Sequence, residues 1–318
     1  MLIVQKFGGS SLAGAERLRR AASIIADSAD AGNKVVAVVS ARGDMTDELL
    51  GEARRISADP PVRELDALLS CGETGSAAMT AMQLADIGKR CVSLTGAQAG
   101  ILTDGVHGTA RILSIDTARI MRELDAGKIV VAAGFQGAER GGDTTTLGRG
   151  GSDTTAVELA AALKADRCEI YSDVDGIYTA DPRLVTGAVR LDSIDYGDML
   201  HLALHGSQVL HSRSVEAAMR ANVRVHLLSS FTRREGTVMC KLDDRPGLCG
   251  VTRDSSLGTV SIIGREADAH VLAEAVAALA HSDIIVTRTE LFDGGCSLFV
   301  SPDRLLPALE ITHRRFFR

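Results

Sequence analysis

Tryptophan is absent from the 318-residue chain, and aromatic residues make up only 3% of it. That scarcity argues against the aromatic stacking platforms that hold single-stranded nucleic acid. An excess of positive charge is missing too. The net charge is −6, whereas a protein working on phosphate backbones or anionic lipid needs clustered Lys and Arg. The expected partners are therefore small molecules, with no nucleic acid and no membrane. No apolar run approaches the ~18 residues of a membrane span, and the N-terminus enters the apolar stretch Leu2 to Val4 directly, without the form of a signal peptide. Finally, the six cysteines (Cys71, Cys91, Cys168, Cys240, Cys249 and Cys296) include no C-x-x-C pair and no repeated spacing. This is neither a zinc framework nor a disulfide scaffold, so reduced thiols and a cytoplasmic location are expected.

What is present is an ordinary globular composition, 45% hydrophobic and 24% charged, in a chain long enough for one large domain and a small second one. Short β-rich runs (Lys34 to Ser40, Cys91 to Thr95, Ile129 to Ala133, Cys168 to Tyr171, Val223 to Leu228) alternate with Ala-rich helical stretches. This alternation predicts an α/β fold with a mainly parallel sheet covered by helices on both faces. Ahead of the strand Lys34 to Ser40, Leu18, Ala22, Ile25 and Ala26 recur at helical spacing within Glu16 to Ala31. The pattern breaks in a polar stretch from Phe231 to Gly247, where a boundary is expected, giving domains 1–240 and 249–318. The second of these reads as strand (Thr259 to Gly264), helix (Ala269 to Ala280), two strands (Ile284 to Leu291, Cys296 to Val300) and a helix from Pro302, most of one small α+β module.

Three constellations carry chemistry. In the first, Lys6 ends a strand and Gly8, Gly9, Ser10 and Ser11 follow before a helix. Glycines let backbone N–H groups approach an anion, the helix start adds positive potential, and the lysine offers a point charge to a phosphoryl group in transfer. A tight strand-to-helix turn with a surface lysine fits the same residues, and this is not a Walker A loop, which needs G-x-x-x-x-G-K-S/T. The second, Gly142 to Ala156, is too long and too rich in glycine and hydroxyls for a plain helix cap. It leads into an Ala-rich helix; Arg149 offers a planar fork for a carboxylate, and Asp153 can cap the helix or position a lysine. The third, Tyr171 to Arg183, follows a strand end, the edge of a parallel sheet that normally faces a ligand. Tyr178 can flank an adenine and Arg183 can meet a phosphate, although a surface loop with an Asp-Pro turn explains the spacing nearly as well.

Together these strings closely resemble the aspartate kinases of the amino-acid kinase superfamily over roughly residues 1 to 240. Further matches lie at Val39-Ser40-Ala41 with Thr46, Leu69 to Glu73, Gln98-Ala99-Gly100 with Thr103-Asp104, and Ala133 to Gly137. The resemblance implies a three-layer sandwich, the amino-acid kinase fold, followed by a partial ACT-like α+β module expected to mediate contact in a homodimer. It implies ATP and Mg²⁺ as cofactors and phosphorylation of L-aspartate to 4-phospho-L-aspartate. Lys6 would stabilise the transferring phosphoryl group, with Asp153 aligning it. Ser40, Thr46, Glu73 and Arg149 would hold aspartate, Glu73 taking the ammonium and Arg149 a carboxylate. Gly8, Gly9, Ser10, Ser172, Asp173, Tyr178 and Arg183 would line the nucleotide, with Mg²⁺ bridging phosphate oxygens and no protein ligand to the metal assigned.

The chain departs from that pattern twice. The segment after the nucleotide loop, read as a helix, carries Gln208 in Gly206 to Ser212 where the family has a lysine, so weaker ATP affinity or slower turnover is expected. The C-terminal module resembles a single, shortened ACT domain, and Glu266-Ala267-Asp268-Ala269 replaces the usual Pro-Gly turn, so the feedback control common in the family is not expected. Two alternatives stand beside the main reading: a kinase for another amino acid or a carbamate, and a weakly active homologue that regulates a partner.

Overall fold

The computed structural model describes every residue except Arg233, which falls inside the expected boundary stretch, and Arg318. The chain forms two compact units, one of Met1–Asp175 with Arg220–Arg234, the other of Gly176–Met219 with Glu235–Arg318.

The first unit is built on parallel strands in the order Val225–Ser229, Arg167–Ser172, Leu2–Phe7, Lys34–Val39, Ile129–Ala133, Cys91–Leu94. The central strands read as nearly unbroken apolar runs because both of their faces are buried, as helical crossovers require. Alternation of side chains along Leu2–Phe7 then decides which helix each residue meets. Gln5 reaches Ser28 of the helix Gly14–Asp30, its amide donating at 3.3 Å. Phe7 packs in the same layer with Leu18, Ala22, Ile25 and Ala26 and with residues of the helix Val62–Asp86. Lys6 points to the other face, where the helix Gly151–Ala162 lies against Leu2–Phe7. Helices on both faces make the three-layer sandwich. A smaller sheet, in the order Ile112–Ile115, Ile101–Thr103, Gln136–Ala138, Thr144–Thr146, ends in an antiparallel hairpin whose second strand runs into the Arg149 turn.

The second unit contains a short parallel pair, Ser193–Ile194 with Thr237–Met239, and an antiparallel sheet in the order Gly250–Asp254, Thr259–Ile263, Gly295–Phe299, Arg288–Phe292. Helices Ala269–Ala280 and Leu305–Phe316 supply Ala275, Leu279 and Leu309 to a core with Val260, Ile262, Cys296 and Leu298. The helix Ala269–Ala280 begins at Asp268, whose carboxylate accepts from the His270 and Val271 amides at 2.8 and 3.1 Å, a self-sufficient N-cap.

Three local expectations need correction. The strand Gly250–Asp254 opens the module ahead of the expected order; its sequence, Gly-Val-Thr-Arg-Asp, shows little apolar alternation. The strand expected at Ile284 to Leu291 forms only over Arg288–Phe292, because Asp283 has a φ of 56° and the Ile284 amide turns back to the Leu279 carbonyl to close the preceding helix. Gly206 to Leu210 is not helical: it links Tyr196–Leu204 to Ser212–Ala221, and Gly206, at a φ of 118°, lies so close to the Arg253 carbonyl that a Cβ would fall 2.0 Å from its oxygen.

Candidate active site

In a parallel sheet all strands end on one side, and the loops beyond those ends carry the polar residues. Register sets Lys6 between Val38 and Ile170, one residue short of that edge. Its ammonium lies 2.6 Å from the Asp153 carboxylate, with the two side chains 10% and 14% exposed. Asp153 sits in the first turn of Gly151–Ala162, where the helix dipole favours negative charge. The pair is therefore held from both sides, and the Lys6 conformation is fixed by structure on two separate segments. Both readings offered for Asp153 start from this helix end; the structure brings the residue to Lys6, and the helix has no side-chain cap.

Gly8 and Gly9 follow. The Gly8 amide donates to the Tyr171 carbonyl at 3.2 Å, tying the loop to the end of the neighbouring strand. Gly9 admits no side chain: a Cβ would lie 2.6 Å from the Ala41 carbonyl oxygen. Ser10 belongs to the short helix Gly9–Leu12, its carbonyl accepting from Arg17 at 2.9 Å. Beneath the loop, Phe7 and Tyr171 stack at 4.9 Å, and the Tyr171 hydroxyl donates to Glu169 at 3.0 Å. Burial raises the Tyr171 phenol above its ordinary pKa.

Glu73, on the helix Val62–Asp86, is 3% exposed. One carboxylate oxygen accepts from the Ala41 amide at 3.0 Å, whereas the other, Oε2, is buried without a hydrogen-bond partner. Burial pushes the carboxyl up to about 7, against the lowering effect of the Ala41 hydrogen bond. A buried carboxylate oxygen left this way is suited to a cationic donor. Ser40, directly after the strand Lys34–Val39, is adjacent to Ala41 and donates its amide to the Phe7 carbonyl at 3.1 Å, which joins the Glu73 segment to the Lys6 strand. Thr46 lies in the first turn of Met45–Ile56 and is half-buried.

Arg149 is exposed between Gly148 and Gly150, whose φ values of 75° and 73° are left-handed. Two consecutive alternations of that kind project the guanidinium from a tight turn. The turn is backed by Phe135, itself at a φ of 66°, whose carbonyl accepts from the Leu147 amide at 2.8 Å and whose own amide donates to Thr155 at 3.1 Å. Gly134 lets Ser152 approach; a Cβ there would lie 2.8 Å from the Ser152 side chain. The run Ala133 to Gly137 resembles the family's sequence, but nothing in its composition shows a phenylalanine held in the left-handed region beside the helix start.

Ser172 ends the strand Arg167–Ser172, its hydroxyl within 3.3 Å of the Val174 amide, and Asp173 is exposed beyond it. These two belong to the first unit; Tyr178 and Arg183 belong to the second. Tyr178 bridges to Arg190. Arg183 forks onto Asp181 at 3.0 and 2.9 Å, which holds the Asp181 carboxyl below its ordinary value. Gln208, also in the second unit, is exposed.

Residues 1–229 match the Amino acid kinase family. The chain is 48% identical over 289 residues to an aspartokinase of Mycolicibacterium smegmatis, covering 89% of this chain and 69% of that protein. Among solved structures it is similar to the aspartate kinase from Synechocystis, with a TM-score of 0.69 and 36% identity over 99% of this chain, though it spans only 55% of that one. It is also similar to E. coli aspartokinase III in complex with aspartate and ADP, with a TM-score of 0.72 and 26% identity over 95% of this chain and 79% of that one. A family match over most of its length, this level of identity and a charge-paired lysine at the edge of a parallel sheet establish that the chain belongs to the amino acid kinase family, as a kinase of its aspartokinase group.

Proposed function

We infer that the protein transfers the γ-phosphoryl group of ATP to the side-chain carboxylate of L-aspartate, giving 4-phospho-L-aspartate and ADP. The observation that carries this reading is the Lys6–Asp153 pair, buried at the carboxyl edge of the sheet beside the Gly8-Gly9 loop. A carboxylate oxygen of aspartate attacks the γ-phosphorus as the bond from that phosphorus to the β,γ-bridging oxygen breaks, and ADP leaves. No covalent contribution from the protein is needed, since an ionised carboxylate is already a nucleophile; positioning and charge neutralisation carry the rate. In this proposal Lys6 neutralises charge on the phosphoryl group, Gly8, Gly9 and Ser10 face the phosphates, and Ser172, Asp173, Tyr178 and Arg183 serve the nucleotide. Glu73 takes the aspartate ammonium and Arg149 a carboxylate, with Ser40 and Thr46 beside them. Mg²⁺ arrives on the nucleotide phosphates as part of the substrate. The complex of E. coli aspartokinase III with aspartate and ADP supports both ligands for this chain.

An ATP-dependent hydroxamate assay with aspartate tests the reading, run beside Lys6→Ala and Gln208→Lys. Aspartyl hydroxamate from the wild type and its loss in Lys6→Ala are expected. A signal only with another carboxylate would assign a different acceptor, and a silent wild type revived by Gln208→Lys would assign a regulatory role. The enzyme is further proposed to run without feedback by lysine or threonine. Supporting this, Asp268 caps its own helix and the Glu266 amide donates to the Gly247 carbonyl, so the turn that replaces Pro-Gly is closed by internal hydrogen bonds. Inhibition of the purified protein by low concentrations of either amino acid would overturn that part.

A further inference from the structure

Asp66 lies outside every string discussed above, yet it is one of the most thoroughly buried carboxylates in the first unit, at 1% exposure. It gathers hydrogen bonds from two segments remote in sequence. Oδ1 accepts from the Thr146 hydroxyl at 2.5 Å, both oxygens lie within reach of the Gly108 amide at 3.1 and 3.0 Å, and His107 Nδ1 stands 2.8 Å from Oδ2. A burial this complete is tolerable only because the carboxylate is saturated with donors. Two observations give the arrangement a purpose. Thr146 is the last residue of its strand, and the chain passes through Leu147 and Gly148 to Arg149. Asp66 also shares the helix Val62–Asp86 with Glu73, seven residues on and so on nearly the same face, about 10.5 Å along the axis. Between them the Ser70 carbonyl accepts from the Gln136 amide at 2.9 Å, and Gln136 is the cross-strand partner of Thr146. The helix that carries Glu73 thus grips both strands of the hairpin that ends in the Arg149 turn.

We propose that Asp66 is a positioning residue that sets the spacing between the amine-holding Glu73 and the carboxylate-holding Arg149, and so the length of the acidic amino acid accepted. The inference rests on the aspartate reading of those two residues. Asp66 touches no substrate; it acts through Thr146 and the turn beyond.

The test is steady-state kinetics of the protein with L-aspartate and L-glutamate as acceptors. Replacing a carboxylate oxygen by an NH2 group in Asp66→Asn turns a donor toward groups that themselves donate. KM for aspartate is expected to rise about tenfold or more while KM for MgATP changes less than twofold, as loss of charge-assisted hydrogen bonds at one sub-site predicts. Discrimination between aspartate and glutamate is expected to shrink, because one methylene is normally worth about 10- to 200-fold. Thr146→Val should reproduce the effect more weakly and Thr146→Ser should restore wild-type values, which keeps the proposal testable if Asp66→Asn does not fold. Parallel increases in both KM values with unchanged discrimination, or Thr146→Ser behaving like Thr146→Val, would overturn it. Glu73→Gln and Arg149→Lys serve as controls: if neither raises KM for aspartate the underlying reading fails, whereas if both do and Asp66→Asn and Thr146→Val do not, this inference alone fails.

Discussion

Replacing Glu73 by glutamine should separate stability from function. In the folded protein burial lifts this carboxyl from its ordinary 4.5 to about 7. A gap of 2.5 pH units (7 − 4.5) at about 1.36 kcal/mol each corresponds to ~3 kcal/mol. Because the folded state holds the proton more tightly than the unfolded state, it binds more protons between those two values, and stability falls as pH rises through that window. The contribution is fully present below about pH 4.5 and gone above about pH 7. Glutamine cannot titrate, so the wild type should lose up to ~3 kcal/mol relative to Glu73→Gln on going from pH 5 to pH 8, whatever fixed cost the substitution carries. Urea melts of both proteins across that range give the difference directly. The opposite trend is expected for ligand: an ammonium prefers the ionised carboxylate, so aspartate should bind the wild type up to tenfold more weakly per pH unit below about 7, a dependence the variant lacks. Parallel stability profiles for the two proteins would refute the reasoning, since Glu73 would then not be a buried group with a raised pKa.

Other substitutions probe the remaining parts. Lys6→Ala should lower kcat about 10²- to 10³-fold, the range for removing a group aimed at developing charge, with KM for aspartate nearly unchanged; a rate within tenfold of wild type would remove Lys6 from the chemistry. Gly9→Ala places a Cβ 2.6 Å from the Ala41 carbonyl oxygen and should weaken MgATP binding and lower stability by about 1 to 3 kcal/mol, read by nucleotide titration and thermal melts; an unaltered protein would contradict the close packing of this loop. Gln208→Lys should tighten MgATP binding about tenfold or more, the worth of one charge-assisted contact, and no change would show that position 208 does not reach the nucleotide. In the second unit, Asp198, 1% exposed and paired with Arg245, should on conversion to Asn lower stability by about 1 to 3 kcal/mol without altering the KM for aspartate; a shift in that KM would tie this clasp to the site.

Much of the layered sheet was readable because its signals are local. The strands Lys34–Val39 and Ile129–Ala133 announce themselves as apolar runs, and the helix Gly14–Asp30 by its 3.6-residue period. The small mixed sheet was not readable: its strands are three or four residues long, and Thr144–Thr146 is polar throughout, so pairing across the chain rather than side-chain pattern makes them strands. The strand Gly250–Asp254 is likewise hidden, its sequence having little apolar alternation. Toward the candidate site, residue types point to Lys6, Arg149 and Asp153, and Glu73 enters only through the family resemblance, whereas Asp66 looks in the sequence like any solvent-facing carboxylate in a helix.

By itself the sequence determined the alternation of strand and helix, the glycines that bare backbone around Lys6 and Arg149, and the candidate lysine, arginine and aspartate set among them, since each follows from residues close along the chain. Only the tertiary structure decided what those charges meet. Asp153 stands 147 positions from Lys6, yet the helix packed on that face of the sheet brings their charges to 2.6 Å. Glu73 becomes a carboxyl that titrates near neutrality only because the first unit closes over it. Burial and long-range pairing are properties of the packed chain, and it is these that turn a set of suitable residues into a candidate active site.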